Sequence, residues 1–167
     1  MNTLCIKKVI ILCCDDYRGI GSIIKELAIR KLQNKVEVIF VNKNNKEIFS
    51  SPEHNFNCDI LISYLCPFII PKKILDNSTY KINFHSAPPE YPGSFPYNWA
   101  IYEESNMYGV TCHHMNQKVD SGDIIMVERF PIIPGENVKG IQEKATDKLL
   151  QMFEYIIDII EKGGNIE

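Results

Sequence analysis

The sequence has no apolar run of the roughly 20 residues that a membrane-spanning helix needs. The run from Val9 to Cys14 follows Lys7 and Lys8 but stops at Asp15-Asp16, too short for the apolar stretch of a secretion signal. A buried first strand in a cytoplasmic protein is the expectation. No charge of one sign dominates either: 18 Lys and Arg face 21 Asp and Glu, a formal net charge of −3. That leaves no electrostatic footprint for nucleic acid or for an anionic membrane. An RNA substrate is not excluded on this ground, but nothing in the charge asks for one. The six cysteines, at positions 5, 13, 14, 58, 66 and 112, form no C-x-x-C pair, and most sit in apolar runs. They read as reduced thiols in or near a core. Metal-ligand spacing is absent as well, since the neighbours His113 and His114 would leave a strand on opposite faces. No metal is expected. Repeats, low-complexity tracts and linkers are missing, so residues 1–167 read as a single domain.

What the sequence does contain is an alternation of strands and helices. Strands are expected over 9–14, 36–41, 59–64, 80–85, 110–115 and 124–130. Helices are expected over 22–31, capped by Ser22 and burying Ile23, Ile24, Leu27 and Ile29, over 72–75, over 97–104, and through a last helix. In that last helix Ile141, Ala145, Leu149, Met152, Phe153, Ile156 and Ile160 recur at helical spacing before Gly163-Gly164. Such an order implies an α/β fold, a three-layer sandwich whose mostly parallel sheet carries helices on both faces. Ligands bind such sheets beyond the carboxyl ends of the strands. The fourth strand ends at His85, which puts Asn83 and His85 at that edge.

Residues 82–93 read INFHSAPPEYPG. Asn83 and His85 leave the strand on one face, and Phe84 turns the other way into the core. An amide beside an imidazole can polarise a carbonyl and stabilise an oxyanion. Taken alone, a histidine near a strand end is more often a packed or hydrogen-bonded residue than a catalytic one. Residues 109–132 read GVTCHHMNQKVDSGDIIMVERFPI. The loop between their two strands presents Asp120, a carboxylate able to orient His85, favour its charged form and accept an amine's proton. On periodicity alone the turn reading of Asp-Ser-Gly-Asp is the favoured one.

Together the two segments resemble the formyltransferase family that includes glycinamide ribonucleotide formyltransferase, the catalytic domain of methionyl-tRNA formyltransferase and the sugar N-formyltransferases. That family pairs N-x-H and a proline-bearing loop ending in Gly with a later G-V-T-x-H … D-x-G. The matching residues here are Asn83-Phe84-His85, Gly93, Gly109-Val110-Thr111-Cys112-His113 and Asp120-Ser121-Gly122. The segment DILISYLCPFIIPKKIL and Trp99-Ala100-Ile101 resemble the family too. The resemblance implies a Rossmann-like formyltransferase fold with Asn83, His85 and Asp120 as catalytic residues, and Thr111, His113 and Gly122 as support. It implies 10-formyltetrahydrofolate as formyl donor, bound with help from Ser86, Ala87, Pro88, Pro89, Tyr91, Gly93 and Asp120. In the implied reaction Asn83 and His85 donate to the developing oxyanion and Asp120 manages protons.

Three departures bear on the acceptor. The loop after His85 is one residue shorter than H-P-S-L-L-P-x-Y-R-G, lacks its two leucines and has Pro92 where arginine often sits. Gly19-Ile20-Gly21-Ser22 only faintly resembles the family's phosphate loop, with Ile23 at the asparagine position after an inserted-looking CDDYR. The chain also stops after the last helix, with no further domain of the kind that holds transfer RNA. The expected acceptor is therefore a small amine, with an amino sugar attached to a nucleotide favoured. Two other readings stand: hydrolysis of 10-formyltetrahydrofolate, ranked lower because Met1 begins almost at the first strand, and a non-catalytic domain that binds folate or another ligand. Exposed strand edges leave a homodimer open.

Overall fold

The structure is a computed structural model and describes residues 5–14, 19–52 and 54–166. Its sheet has six strands: β1 (Val9–Cys14), β2 (Val36–Val41), β3 (Cys58–Tyr64), β4 (Ser78–His85), β5 (Met107–His114) and β6 (Ile124–Pro131), in the order β2-β1-β3-β4-β5-β6. The first four are mutually parallel. β5 then runs antiparallel to β4, and β6 antiparallel to β5. The continuous apolar stretch of β1 suits its central place, because both its faces are covered.

On one face lie α1 (Ile20–Leu32), α3 (Pro96–Tyr102) and α4 (Val138–Glu161). Their apolar stripes pack on Val9, Ile11, Ile60, Ile62, Ile82, Phe84 and Val110. On the other face α2 (Lys72–Leu75) and a tight turn over Lys46–Phe49 bring Ile48, Phe49, Ile74 and Leu75 onto Ile10, Leu12, Ile39 and Leu61. The expected three-layer α/β sandwich is what the structure has. Within the first layer Tyr64, Phe84 and Phe153 form a triangle with ring centroids 5.3–5.6 Å apart. Phe153→Ala is expected to cost about 3–5 kcal/mol of stability, read as a lower urea midpoint, because the surrounding sheet cannot close the gap.

Several boundaries differ from the sequence expectation for local reasons. α1 starts at Ile20, because Gly19 at φ +71° reverses the chain and serves as N-cap without a side-chain bond, which leaves Ser22 inside the first turn. Its buried stripe is Ile20, Gly21, Ile24, Leu27, Ala28 and Leu32. Ile23 and Ile29 fall off that stripe and are 46% and 47% exposed, not buried as expected. α3 ends at Tyr102, and β4 and β5 begin earlier than their apolar cores do. α4 is capped by Asn137, whose side chain accepts from the Gly140 amide at 3.1 Å, and it ends at Gly163 with φ +67°. All six cysteines are free. Cys5 is exposed, Cys14 and Cys66 are half-buried, and only Cys13, Cys58 and Cys112 belong to the interior. Among the described residues no helix is long and apolar enough to cross a membrane, and no group of side chains could hold a metal ion. Residues 15–18, most of the inserted-looking segment, lie outside the described residues.

Candidate active site

Strand register assembles the site. Asn83 pairs with His113 and His85 with Thr111 across β4 and β5, so all four side chains leave the sheet on one face. Phe84, Ile82 and Cys112 point the other way into the core under α4, as expected for Phe84. His113 and His114 do part to opposite faces, His113 buried and His114 half-buried.

Asp120 reaches the site from the β5–β6 loop, in a left-handed conformation at φ +49°. The Gly93 amide donates to its Oδ2 at 2.9 Å, and Asn83 Nδ2 donates to its Oδ1 at 3.2 Å. His85 Nδ1 lies 3.6 Å from Oδ2, and His113 Nε2 lies 3.5 Å from Oδ1. Asn83, His85 and Asp120 therefore converge, with Thr111 and His113 at their base. Gly122 lets the loop double back: a Cβ there would stand 1.7 Å from the His114 carbonyl oxygen. Gly122→Ala is expected to cost more than about 1 kcal/mol in chemical denaturation and to pull Asp120 away from the histidines.

Hydrogen-bond logic assigns the tautomers. His113 Nδ1 lies 2.8 Å from the His114 carbonyl, which can only accept, so that nitrogen carries the proton. Its Nε2 then accepts from Asn83 Nδ2 at 3.1 Å. Both N–H groups of Asn83 are thus engaged, by His113 and Asp120, and its Oδ1 is left over. In this resting arrangement Asn83 is not a free oxyanion donor. Likewise His85 Nε2 faces the Tyr91 carbonyl at 3.2 Å and donates to it.

Burial lowers the His85 pKa below its ordinary value; the Asp120 charge and the Tyr91 carbonyl oppose this without reversing it. The sequence expectation that Asp120 would favour charged His85 has the right sign but loses to desolvation. For Asp120, burial pushes the carboxyl up, but His113, His85 and the Gly93 amide together outweigh it and hold it below the usual carboxylate range. At neutral pH the pair is a neutral imidazole beside a carboxylate.

The site closes one end of a cleft of about 590 Å³, lined by Leu65, Phe68, Ile70, Leu75 and Met115. A second cavity of about 230 Å³ lies against Pro88, Pro89, Thr111 and Gly122, and His85, His113 and Asp120 line both. The loop residues expected to hold a donor divide between these spaces. Ser86 and Gly93 line the cleft, and Pro88 and Pro89 line the smaller cavity. Ala87 is fully buried, its carbonyl accepting from the Thr111 hydroxyl at 2.7 Å. Tyr91 turns its ring onto Tyr108 and its hydroxyl to Glu103, so only its carbonyl meets the site. Tyr108 lies between Tyr91 and Tyr97, at 6.1 and 5.4 Å, and donates to the Ser86 carbonyl at 3.2 Å. This stack holds the short loop in place without the two leucines. Sequence reasoning missed it, and missed the cleft walls at 65–70 and 115–119.

Residues 47–155 match the family model described as formyl transferase. A methionyl-tRNA formyltransferase of Prochlorococcus marinus subsp. pastoris is 29% identical over 156 residues, covering 90% of this chain and 48% of that protein. The chain thus spans about half the length of that relative. The crystal structure of a 4-N formyltransferase from Francisella tularensis superposes with a TM-score of 0.73 at 26% identity, over 92% of this chain and 69% of that one. The N-formyltransferase from Helicobacter canadensis, solved in complex with folinic acid and dTDP-3-aminofucose, gives a TM-score of 0.74 at 21% identity, over 93% and 64%. That last likeness is one of fold.

Proposed function

The chain belongs to the formyl transferase family, and from that premise we propose that it transfers the formyl group of 10-formyltetrahydrofolate to the amine of a small acceptor, an amino sugar attached to a nucleotide. The observation that carries this reading is the convergence of Asn83, His85 and Asp120 at one end of an apolar cleft. The cleft fits the donor: its volume is in the range of small-molecule sites, and its apolar walls suit a flat fused ring. The bound donor supplies an electrophilic formyl carbon.

The rest is the work of this chain's residues. Ionised Asp120 sits where it can take a proton from the attacking amine, and the amine's lost proton ends on the folate nitrogen as the old carbon–nitrogen bond breaks. His85 is held with an N–H available once the Tyr91 carbonyl is displaced, and it is the first donor to the developing oxyanion. Asn83 joins it by releasing one of its two bonds, to His113 or to Asp120. The net charge of −3 supports a small acceptor over transfer RNA, and the free cysteines suit a reducing cytoplasm.

The test is tetrahydrofolate release from 10-formyltetrahydrofolate with nucleotide-linked amino sugars, glycinamide ribonucleotide, methionyl-tRNA or no amine. Release that depends on an amino sugar nucleotide is the expected outcome, and release that depends only on another amine overturns that choice of acceptor. The second cavity favours one rival, hydrolysis, since at about 30 Å³ per water it has room for several waters behind His85 and Asp120. Formate release at the same rate without amine would select that reaction.

A further inference from the structure

Of the buried polar residues Ser63, Ser78, Thr111 and His113, Ser63 alone has no protein partner for its side chain among the described residues. It lies on β3, 5% exposed, in register with Asn83 on β4, and the two line the same cleft. By strand alternation its side chain shares a face with Leu61, which belongs to the apolar layer under α2. A hydroxyl so placed is normally bonded to a neighbouring main chain or side chain. Ser78 and Thr111, also buried on the sheet, do this with the Leu75 and Ala87 carbonyls. Ser63 makes no hydrogen bond with any described residue.

We infer that Ser63 is a ligand-binding residue whose hydroxyl hydrogen-bonds a heteroatom on the fused ring of the formyl donor. The inference rests on the function proposed above and goes on to name a binding contact within it. The formyl carbon must lie at Asn83, His85 and Asp120. A flat ring attached to it then extends along the apolar walls of Leu65, Phe68, Ile70 and Leu75, and Ser63 stands on the floor between those walls and Asn83. A polyhydroxylated acceptor needs polar partners, which the cleft lining supplies at Ser86, Ser94, Asn116 and Gln117. A ring heteroatom buried in the slot without a partner would be penalised, and Ser63 is placed to supply one.

The experiment measures folinic acid binding calorimetrically, and the Michaelis constants of donor and acceptor, for the unsubstituted protein, Ser63→Ala and Ser63→Thr. Ser63→Ala is expected to weaken folinic acid binding and raise the donor KM about five- to tenfold, with kcat and acceptor KM unchanged. Ser63→Thr, which keeps the hydroxyl, is expected to restore most of the affinity. Ser63→Ala binding as tightly as the unsubstituted protein overturns the inference, and so does an equal rise in both Michaelis constants, the mark of a merely structural role. Failure of the unsubstituted protein to bind folinic acid would instead overturn the proposed donor, and the inference with it.

Discussion

His85→Ala is expected to lower turnover by about a hundredfold to a thousandfold, the usual cost of losing one oxyanion donor, while the Michaelis constants for donor and acceptor change little. The geometry makes this a clean substitution. The His85 side chain stands on the open face of β4, between the cleft and the smaller cavity. The core below is made by Phe84, which the change does not touch. Only two interactions of the imidazole are lost, the Tyr91 carbonyl at 3.2 Å and the Asp120 carboxylate at 3.6 Å. Neither anchors a strand. Initial rates at saturating substrate, with a urea titration to show that the fold persists, provide the check. Turnover within about threefold of the unsubstituted protein would remove His85 from the reacting centre. An equal fall in kcat and kcat/KM would place its interaction in the transition state alone.

The parts of this site that were legible in the sequence are those governed by strand parity. Asn83 and His85 are two apart, so they share a face wherever the strand lies, and the carboxyl end of a parallel strand is where ligands go. The sheet followed from apolar runs of strand length separated by helix-length patterns. Asp120 was legible only through its family spacing. Its approach depends on a left-handed turn at a residue other than glycine and on Gly122 folding against His114, and neither leaves a pattern in the apolar periodicity. The cleft walls were hidden for a related reason. The expected strand ends at residue 64, but nothing in the apolar pattern says where the chain goes next: Leu65 at φ +52° turns it out of the sheet and brings residues 65–70 along the cleft. Tyr91 acts through its main-chain carbonyl, which any residue carries, so its identity could not announce the role. The charge state of His85 is a balance between burial and a neighbouring carboxylate, and sequence spacing reveals the carboxylate but not the burial.

That balance makes the second large effect the more informative one. Asp120→Asn is expected to cut turnover by at least about a hundredfold, because the variant lacks the carboxylate proposed to take the amine's proton. It is also expected to lower the His85 pKa further. Burial already holds it below the ordinary value of about 6.5, and Asp120 is the largest influence pulling it back up. The imidazole resonance followed by NMR should therefore titrate below the ordinary value in the unsubstituted protein and lower still in Asp120→Asn. A rise in the variant would mean that the carboxylate does not face His85. The same sign carries into stability. A histidine whose folded pKa lies below its unfolded one takes up protons more readily when unfolded, so its contribution is complete above the unfolded value and is lost as pH falls through the folded one. Asp120, also depressed, contributes above the ordinary carboxylate range and loses that contribution as pH falls through its own folded pKa. Unfolding between pH 7 and pH 3 should thus grow easier first as His85 and then as Asp120 takes up its proton, and Asp120→Asn should shrink the second loss, to which Glu136 and Glu90 also contribute, while moving the first to lower pH.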